Sequence, residues 1–199
     1  MNRGLSVALV ASLAVAGSAF GLNIGDKAPS TTVKMKSVDG SAVSIADVAG
    51  KQGTLVVFSC NHCPFVKAWQ GRIASVGNAA KAKGLGVIII NSNDPTEYPE
   101  DSYAEMQKRS KDLGFTFPYV VDATSDVARA FGATRTPEAF LFDKDGKLVY
   151  HGAIDDSKEA DQVTKHFLQD AIDAALAGKA VPVAETKFVG CSIKFHGKA

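Results

Sequence analysis

The chain has 199 residues, 46% apolar and 22% charged, which suits one globular domain with a short appendage better than two domains. Twenty-two basic residues face twenty-one acidic ones with no basic run among them, so bulk charge gives no reason to expect a nucleic-acid partner. Eleven Phe and many aliphatics supply a core and exclude a disordered chain; three Cys are too few for a disulfide scaffold, but two of them are Cys60 and Cys63.

The first residues read as an export signal. Arg3 gives a positive start, residues 5–16 are apolar apart from Ser6 and Ser12, and Ala16, Gly17, Ser18 and Ala19 close the run with small side chains. Cleavage is expected after Ala19 or Gly21. The run is short for a permanent membrane span, and no second one follows. Removing residues 1–21 takes away Arg3 and no acid, leaving a neutral mature protein. A periplasmic or secreted location follows, with no membrane contact after cleavage, and there disulfides persist.

Residues 33–37, Asp39-Gly40 and residues 41–44 predict a hairpin. Residues 54–59 form a continuous apolar run after Gly53, as in a strand buried on both faces. Phe65, Trp69, Ile73, Val76 and Ala80 recur at helical spacing up to Gly84. Residues 87–90 are a second buried strand. Pro99, Glu100 and Asp101 open a helix whose far end carries Lys108, Arg109 and Lys111, a charge order that suits the helix macrodipole. A strand at 119–121 and a short helix at 125–131 come next. Strands at 138–142 and 147–150 flank the turn at Asp143-Lys144-Asp145-Gly146. A long helix over 158–176 ends the domain. This order predicts an α/β fold: a central mixed sheet, helices on both faces and an N-terminal β-hairpin. The domain spans 22–180, and 181–199 form a tail carrying Cys191. Chemistry in such a sheet belongs at the carboxyl ends of the central strands, where Cys60 and Cys63 lie.

Pro64 restricts the residue before it and suits the first helical position, so Cys63 falls at the helix N-cap. Free backbone N–H groups and the positive helix end there favour thiolate over thiol. Cys63 is therefore the expected nucleophile. His62 and Lys67 carry positive charge nearby, although Lys67 also reads as a solvated helix residue. Cys60 precedes the helix and is close enough in sequence to pair with Cys63 and resolve it. Cys191 could do the same by loop closure, pair with a partner, or stay buried. Zinc would want a second CxxC, and haem attachment a His where Pro64 stands. No cofactor and no metal are implied. Trp69 reads as helix core, His166 as a surface residue, and His151 and His196 lack companions at ligand spacing.

Leu55, Val56, Val57 and Phe58, a Cys at a helix start, and the run from Thr136 and Pro137 to Asp143 together resemble the thioredoxin superfamily. The resemblance covers about residues 24–180. It leans to the peroxiredoxin-like (AhpC/TSA-type redoxin) branch, with kinship to TlpA-like periplasmic thiol–disulfide oxidoreductases. It implies the thioredoxin-like fold, the first active-site Cys at Cys63, five residues after Phe58, and a cis-proline at Pro137 that offers backbone to substrates. The second thioredoxin Cys corresponds to Val66, so the resolving thiol is displaced to Cys60 or Cys191. Val57 occupies a strand site where an acid is usual, which leaves Asp94 or Glu138 as candidate proton acceptors. Against true peroxiredoxins, Pro137 stands where their Arg would be, with Arg135 two residues away, and Cys60 replaces their Thr. The resemblance implies disulfide-containing exported proteins, or peroxide, as substrates, and a periplasmic or membrane thiol reductant. A thiol peroxidase is the alternative. A copper chaperone like the Sco proteins is a second, with Arg135 in the place of their His.

Overall fold

The computed structural model describes residues 21–197, so nearly all of the expected export signal lies outside the described residues. Strands β1 (Met35–Ser37) and β2 (Ala42–Val43) form the N-terminal hairpin, with Gly40 in the turn at a φ of 89°. The four-residue helix α1 (Ile45–Val48) follows, its start fixed by a reciprocal capping box between Ser44 and Asp47.

The core is built by β3 (Thr54–Phe58), α2 (Pro64–Ala82), β4 (Gly86–Asn91), α3 (Tyr103–Asp112), β5 (Tyr119–Val121) and α4 (Asp126–Phe131). After them come β6 (Arg135–Thr136), β7 (Glu138–Phe142), β8 (Leu148–Gly152), α5 (Phe167–Leu176) and β9 (Cys191–Ser192). Seven strands form one sheet in the order β2-β1-β5-β4-β3-β7-β8, and β6 pairs with β9 separately. The β3–β4 and β4–β5 pairs are parallel, while β1–β5, β3–β7 and β7–β8 are antiparallel. The mixed sheet expected from the sequence is therefore present.

Every residue of β3 and β4 is buried, which explains why neither strand alternates in polarity. Side chains alternate between two cores instead. Leu55 and Val57 join Trp69, Ile73, Met106, Leu168 and Ile172 beneath α2, α3 and α5. Val56 and Phe58 face Ile45, Val127 and Phe131 on the α1 and α4 side. There Phe58, Phe131 and Phe140 meet edge to face, with ring centroids 5.3 to 5.8 Å apart, the arrangement aromatic quadrupoles favour.

Two predicted helices start later than their sequences suggest. Pro99–Asp101 is a 3₁₀ turn, and α3 begins only after Ser102. The expected long final helix over 158–176 is reduced to α5, with a separate 3₁₀ turn at Ala160–Gln162. Asp156 is the cause: its carboxylate accepts from the backbone N–H groups of Thr164 and Lys165 and from the Thr164 hydroxyl. Its own N–H reaches the Lys165 carbonyl. A local loop closed by a carboxylate competes with helix for the same backbone groups. His166 is exposed just ahead of α5.

Residues 184–197 run back across the domain. Thr186 straddles β8: its N–H donates to the His151 carbonyl, and its hydroxyl accepts from the Ala153 N–H. Ile193 is buried in the α4-side core, and the His196 N–H donates to the Ser125 hydroxyl.

Candidate active site

The site lies where β3 gives way to α2. Cys63 is the N-cap of α2, with extended backbone (φ −61°, ψ 124°) and Pro64 as the first helical residue. Its sulfur is completely buried, in a cluster with Cys60 and Val66 against which Phe65 and Cys191 pack. The Cys63 thiol is lowered from 9.0 to about 4, chiefly because the Cys60 thiol stabilises its thiolate. The Cys191 thiol, the Val66 N–H in the first turn and the Cys191 N–H add to this, against the cost of burial. When protonated, Cys63 instead donates to the Thr136 carbonyl at 3.3 Å. Among the described residues all three cysteines are free thiols.

Cys60, also buried, lies 3.1 Å from the Thr136 hydroxyl. Its thiol is pushed far above the ordinary range, first by the neighbouring Cys63, then by burial and the negative charge of Asp101. Thr136 thus touches both sulfurs, with its hydroxyl at Cys60 and its carbonyl at Cys63. The peptide that follows it, Thr136–Pro137, is cis, and Pro137 leads directly into β7. In register, Phe58 at the end of β3 faces Glu138 at the start of β7. The sheet therefore brings the Pro137 loop to the thiols.

Asp101 is the site residue that sequence reasoning missed. One carboxylate oxygen accepts from the Asn61 N–H at 2.5 Å and the His62 N–H at 3.1 Å. The other meets His62 Nδ1 at 2.5 Å and the Asn93 side-chain amide at 2.8 Å. Asn61 is held further by Tyr119, Arg109 and the Glu100 carbonyl. An acid beside Pro99 reads as a dipole partner in the sequence; only the return of that loop over residues 60–63 makes it a scaffold for the thiol loop. No local pattern signals this.

Other candidates fall elsewhere. The His62 ring meets Asp101 through Nδ1 and stacks on Tyr98, with centroids 3.9 Å apart. Lys67 is exposed, 4.0 Å from Glu100. Neither Asp94 nor Glu138 reaches a thiol. Asp94 caps Thr96, and Glu138 binds the N–H groups of Thr134 and Arg135 together with His151, so it shapes the Pro137 loop. Arg135 donates to the Gly190 carbonyl. Trp69 is core, its indole N–H donating to Asp155 at 2.6 Å. Cys60, His62 and Asp101 place one ligand-type atom each within 4.8 Å of one another. Asp101 already accepts from four groups, however, so a metal would have to displace His62 from it.

A buried thiol at a helix N-terminus, beside a cis-proline loop on a mixed sheet, places the chain among thioredoxin-superfamily proteins. The secreted disulfide oxidoreductase of Mycobacterium tuberculosis homologous to E. coli DsbE shares the fold: TM-score 0.53 and 15% identity, over 73% of this chain and 94% of that one. Within that superfamily the chain belongs to the Redoxin family, which matches residues 23–166. An uncharacterized conserved protein from Geobacillus kaustophilus is similar at 40% identity and a TM-score of 0.82, over 89% of this chain and 94% of that one. The thiol–disulfide oxidoreductase ResA of Halalkalibacterium halodurans is 23% identical over 115 residues. That match takes in 58% of this chain and 61% of the relative, so the chain spans less than two thirds of its length.

Proposed function

We propose that this redoxin is an exported thiol–disulfide oxidoreductase with Cys63 as nucleophile. The Cys63 thiolate attacks one sulfur of a substrate disulfide, forming a mixed disulfide and expelling the other sulfur as a thiolate that takes up a proton. A second protein thiol, Cys60 or Cys191, then attacks Cys63 and releases the remaining substrate thiol. Two electrons pass from the protein to the substrate, and a thiol reductant restores the protein. The carbonyl of Thr136, the residue before the cis-proline Pro137, touches the reacting sulfur, which supports a role for this loop in offering backbone to a substrate. Disulfide-containing exported proteins are the substrates and a periplasmic or membrane thiol system the reductant, consistent with the apolar N-terminal segment and with the secreted location of the mycobacterial relative. Among the described residues no helix is long and apolar enough to cross a membrane.

The observation that carries this reading is the Cys63 sulfur at the head of α2, favoured as thiolate and flanked by two further thiols. Stopped-flow loss of thiol from the reduced mature protein tests it, with a protein disulfide and hydrogen peroxide as separate oxidants and Cys63→Ser as control. Fast reaction with the disulfide and slow reaction with peroxide is the expected pattern. Fast reaction with peroxide alone would make the protein a thiol peroxidase, and equal rates for wild type and Cys63→Ser would remove Cys63 from the chemistry.

A further inference from the structure

Cys63 is the expected attacking group, yet its sulfur is completely buried; an external disulfide reaches it only when whatever covers it moves aside. Part of the cover is a strand. β9 runs antiparallel to β6, with Cys191 opposite Thr136 and Ser192 opposite Arg135. Thr136 is the residue whose carbonyl touches the Cys63 sulfur and whose hydroxyl touches Cys60. The pairing packs Cys191 against the cluster of Cys60, Cys63 and Val66, where its thiol and N–H favour the Cys63 thiolate. The residue before it is Gly190, where a Cβ would lie 2.3 Å from the Thr136 carbonyl oxygen. Only glycine lets the chain come that close. On either side the segment is fastened, through Thr186 on β8 and through Ile193 in the core. Between the fastenings Val189 is 57% exposed, and Arg135 holds the Gly190 carbonyl.

We infer that β9 occupies the strand position in which a substrate polypeptide docks, that the substrate it imitates is an extended segment with glycine immediately before its reactive cysteine, and that Cys191, returning to this position, resolves Cys63. This rests on the disulfide-exchange reading above. A substrate strand adding to β6 gains main-chain hydrogen bonds there, the usual device of β-strand addition. The Cys63 thiolate attacks the substrate cysteine sulfur, the former partner sulfur leaves and is protonated, and a Cys63–substrate disulfide results. β9 is tethered at both ends, so it competes for β6 at high effective concentration. As it re-pairs, the Cys191 thiolate attacks the Cys63 sulfur, the substrate cysteine leaves as a thiol, and a Cys63–Cys191 disulfide closes the site. An external thiol reductant reopens it.

The two candidate resolving thiols differ in what holds their protons. Cys191 is raised to about 11 by burial and by Cys63, while Lys194 and Arg135 pull it down. Once Cys63 is in a mixed disulfide its charge is gone, and the Lys and Arg remain. Cys60 keeps both its burial and the charge of Asp101.

The test uses the reduced mature protein and two synthetic peptides identical except for Gly-Cys or Val-Cys, each cysteine activated as its thionitrobenzoate disulfide. The coloured leaving group reports attack by Cys63, and mass spectrometry follows release of the peptide. The Gly-Cys peptide should react about tenfold faster than the Val-Cys peptide. The oxidised product should carry a Cys63–Cys191 linkage. Cys191→Ser, nearly isosteric and checked by circular dichroism, should hold the peptide on Cys63 and release it at least about tenfold more slowly. Gly190→Val should expose Cys63 to iodoacetamide about tenfold faster than in wild type. Equal rates for the two peptides, a Cys60–Cys63 linkage, or wild-type release from Cys191→Ser would overturn the inference while leaving Cys63 as the nucleophile. A coloured burst that survives Cys63→Ser would instead overturn the exchange reading itself.

Discussion

Cys60 and Cys63 are three residues apart, both buried and both in contact with Thr136, yet the fold pulls their protons in opposite directions. Cys63 sits where a helix begins, with the Val66 N–H and two thiols able to donate to its sulfur. Cys60 sits in the loop that Asp101 ties down, with a negative charge nearby. The difference teaches that a CxxC spacing does not decide which thiol is favoured as thiolate. Donors direct the charge to one sulfur, and that charged neighbour, burial and the Asp101 carboxylate together keep it off the other. Cys60 then acts as a proton-bearing neighbour that stabilises the Cys63 thiolate.

The strongest way to break this contrast is to remove the thiol proposed as nucleophile. Cys63→Ser should reduce disulfide exchange to background in the stopped-flow assay. It should also change how stability depends on pH. A thiol lowered from 9.0 to about 4 contributes stability that is complete above about pH 9 and is lost as the pH falls toward 4. The raised Cys60 and Cys191 thiols act in the opposite sense: their contribution is present below pH 9 and lost above it. The urea midpoint of reduced wild type relative to Cys63→Ser should therefore fall between about pH 8 and about pH 5. A difference that stays flat with pH would mean Cys63 is not held as thiolate.

Asp101→Asn attacks the other half. It replaces a carboxylate that accepts from four groups, two of them backbone N–H groups of the thiol loop. The expected loss of stability is on the order of 3 kcal/mol, since bonds to a charged acceptor are among the stronger ones. Urea unfolding reads this directly, and a loss under about 0.5 kcal/mol would show that the network is incidental. Cys60→Ala sharpens the comparison by removing the leading stabiliser of the thiolate. The midpoint of Cys63 alkylation against pH should rise by roughly one to two units, and an unchanged midpoint would assign the shift to the helix start alone. Lys67→Ala is the smallest expected change. Its side chain is 48% exposed, so both stability, within about 0.5 kcal/mol, and the alkylation midpoint should stay near wild type.

Much of the frame was legible in the sequence. The unbroken apolar run of β3, the helical spacing of Phe65, Trp69 and Ile73, and Pro64 after Cys63 each name their structure through local rules. The sequence reads as helix over 158–176, but one carboxylate, Asp156, closes the first part of that stretch into a loop. Glu138 was legible as a strand residue and a candidate proton acceptor, but its oxygens go to Thr134, Arg135 and His151, partners that only the folded β7 and β8 bring together.

By itself the sequence determined that a cysteine would stand at the N-terminus of a helix following a buried strand, because backbone restriction by proline and the orphan N–H groups of a helix start are local effects. It also determined a mixed sheet, through the alternation of buried strands and helices in its parallel core and the late hairpin that adds antiparallel strands. Tertiary structure alone decided the cover of the site and which distant groups reach its thiols. Asp101 reaches Asn61 and His62 from forty and thirty-nine residues away, and Cys191 pairs with Thr136 from a strand near the end of the chain. Charge and access at a buried sulfur depend on what lies within a few ångströms in space, and chain folding, not sequence neighbourhood, sets that distance.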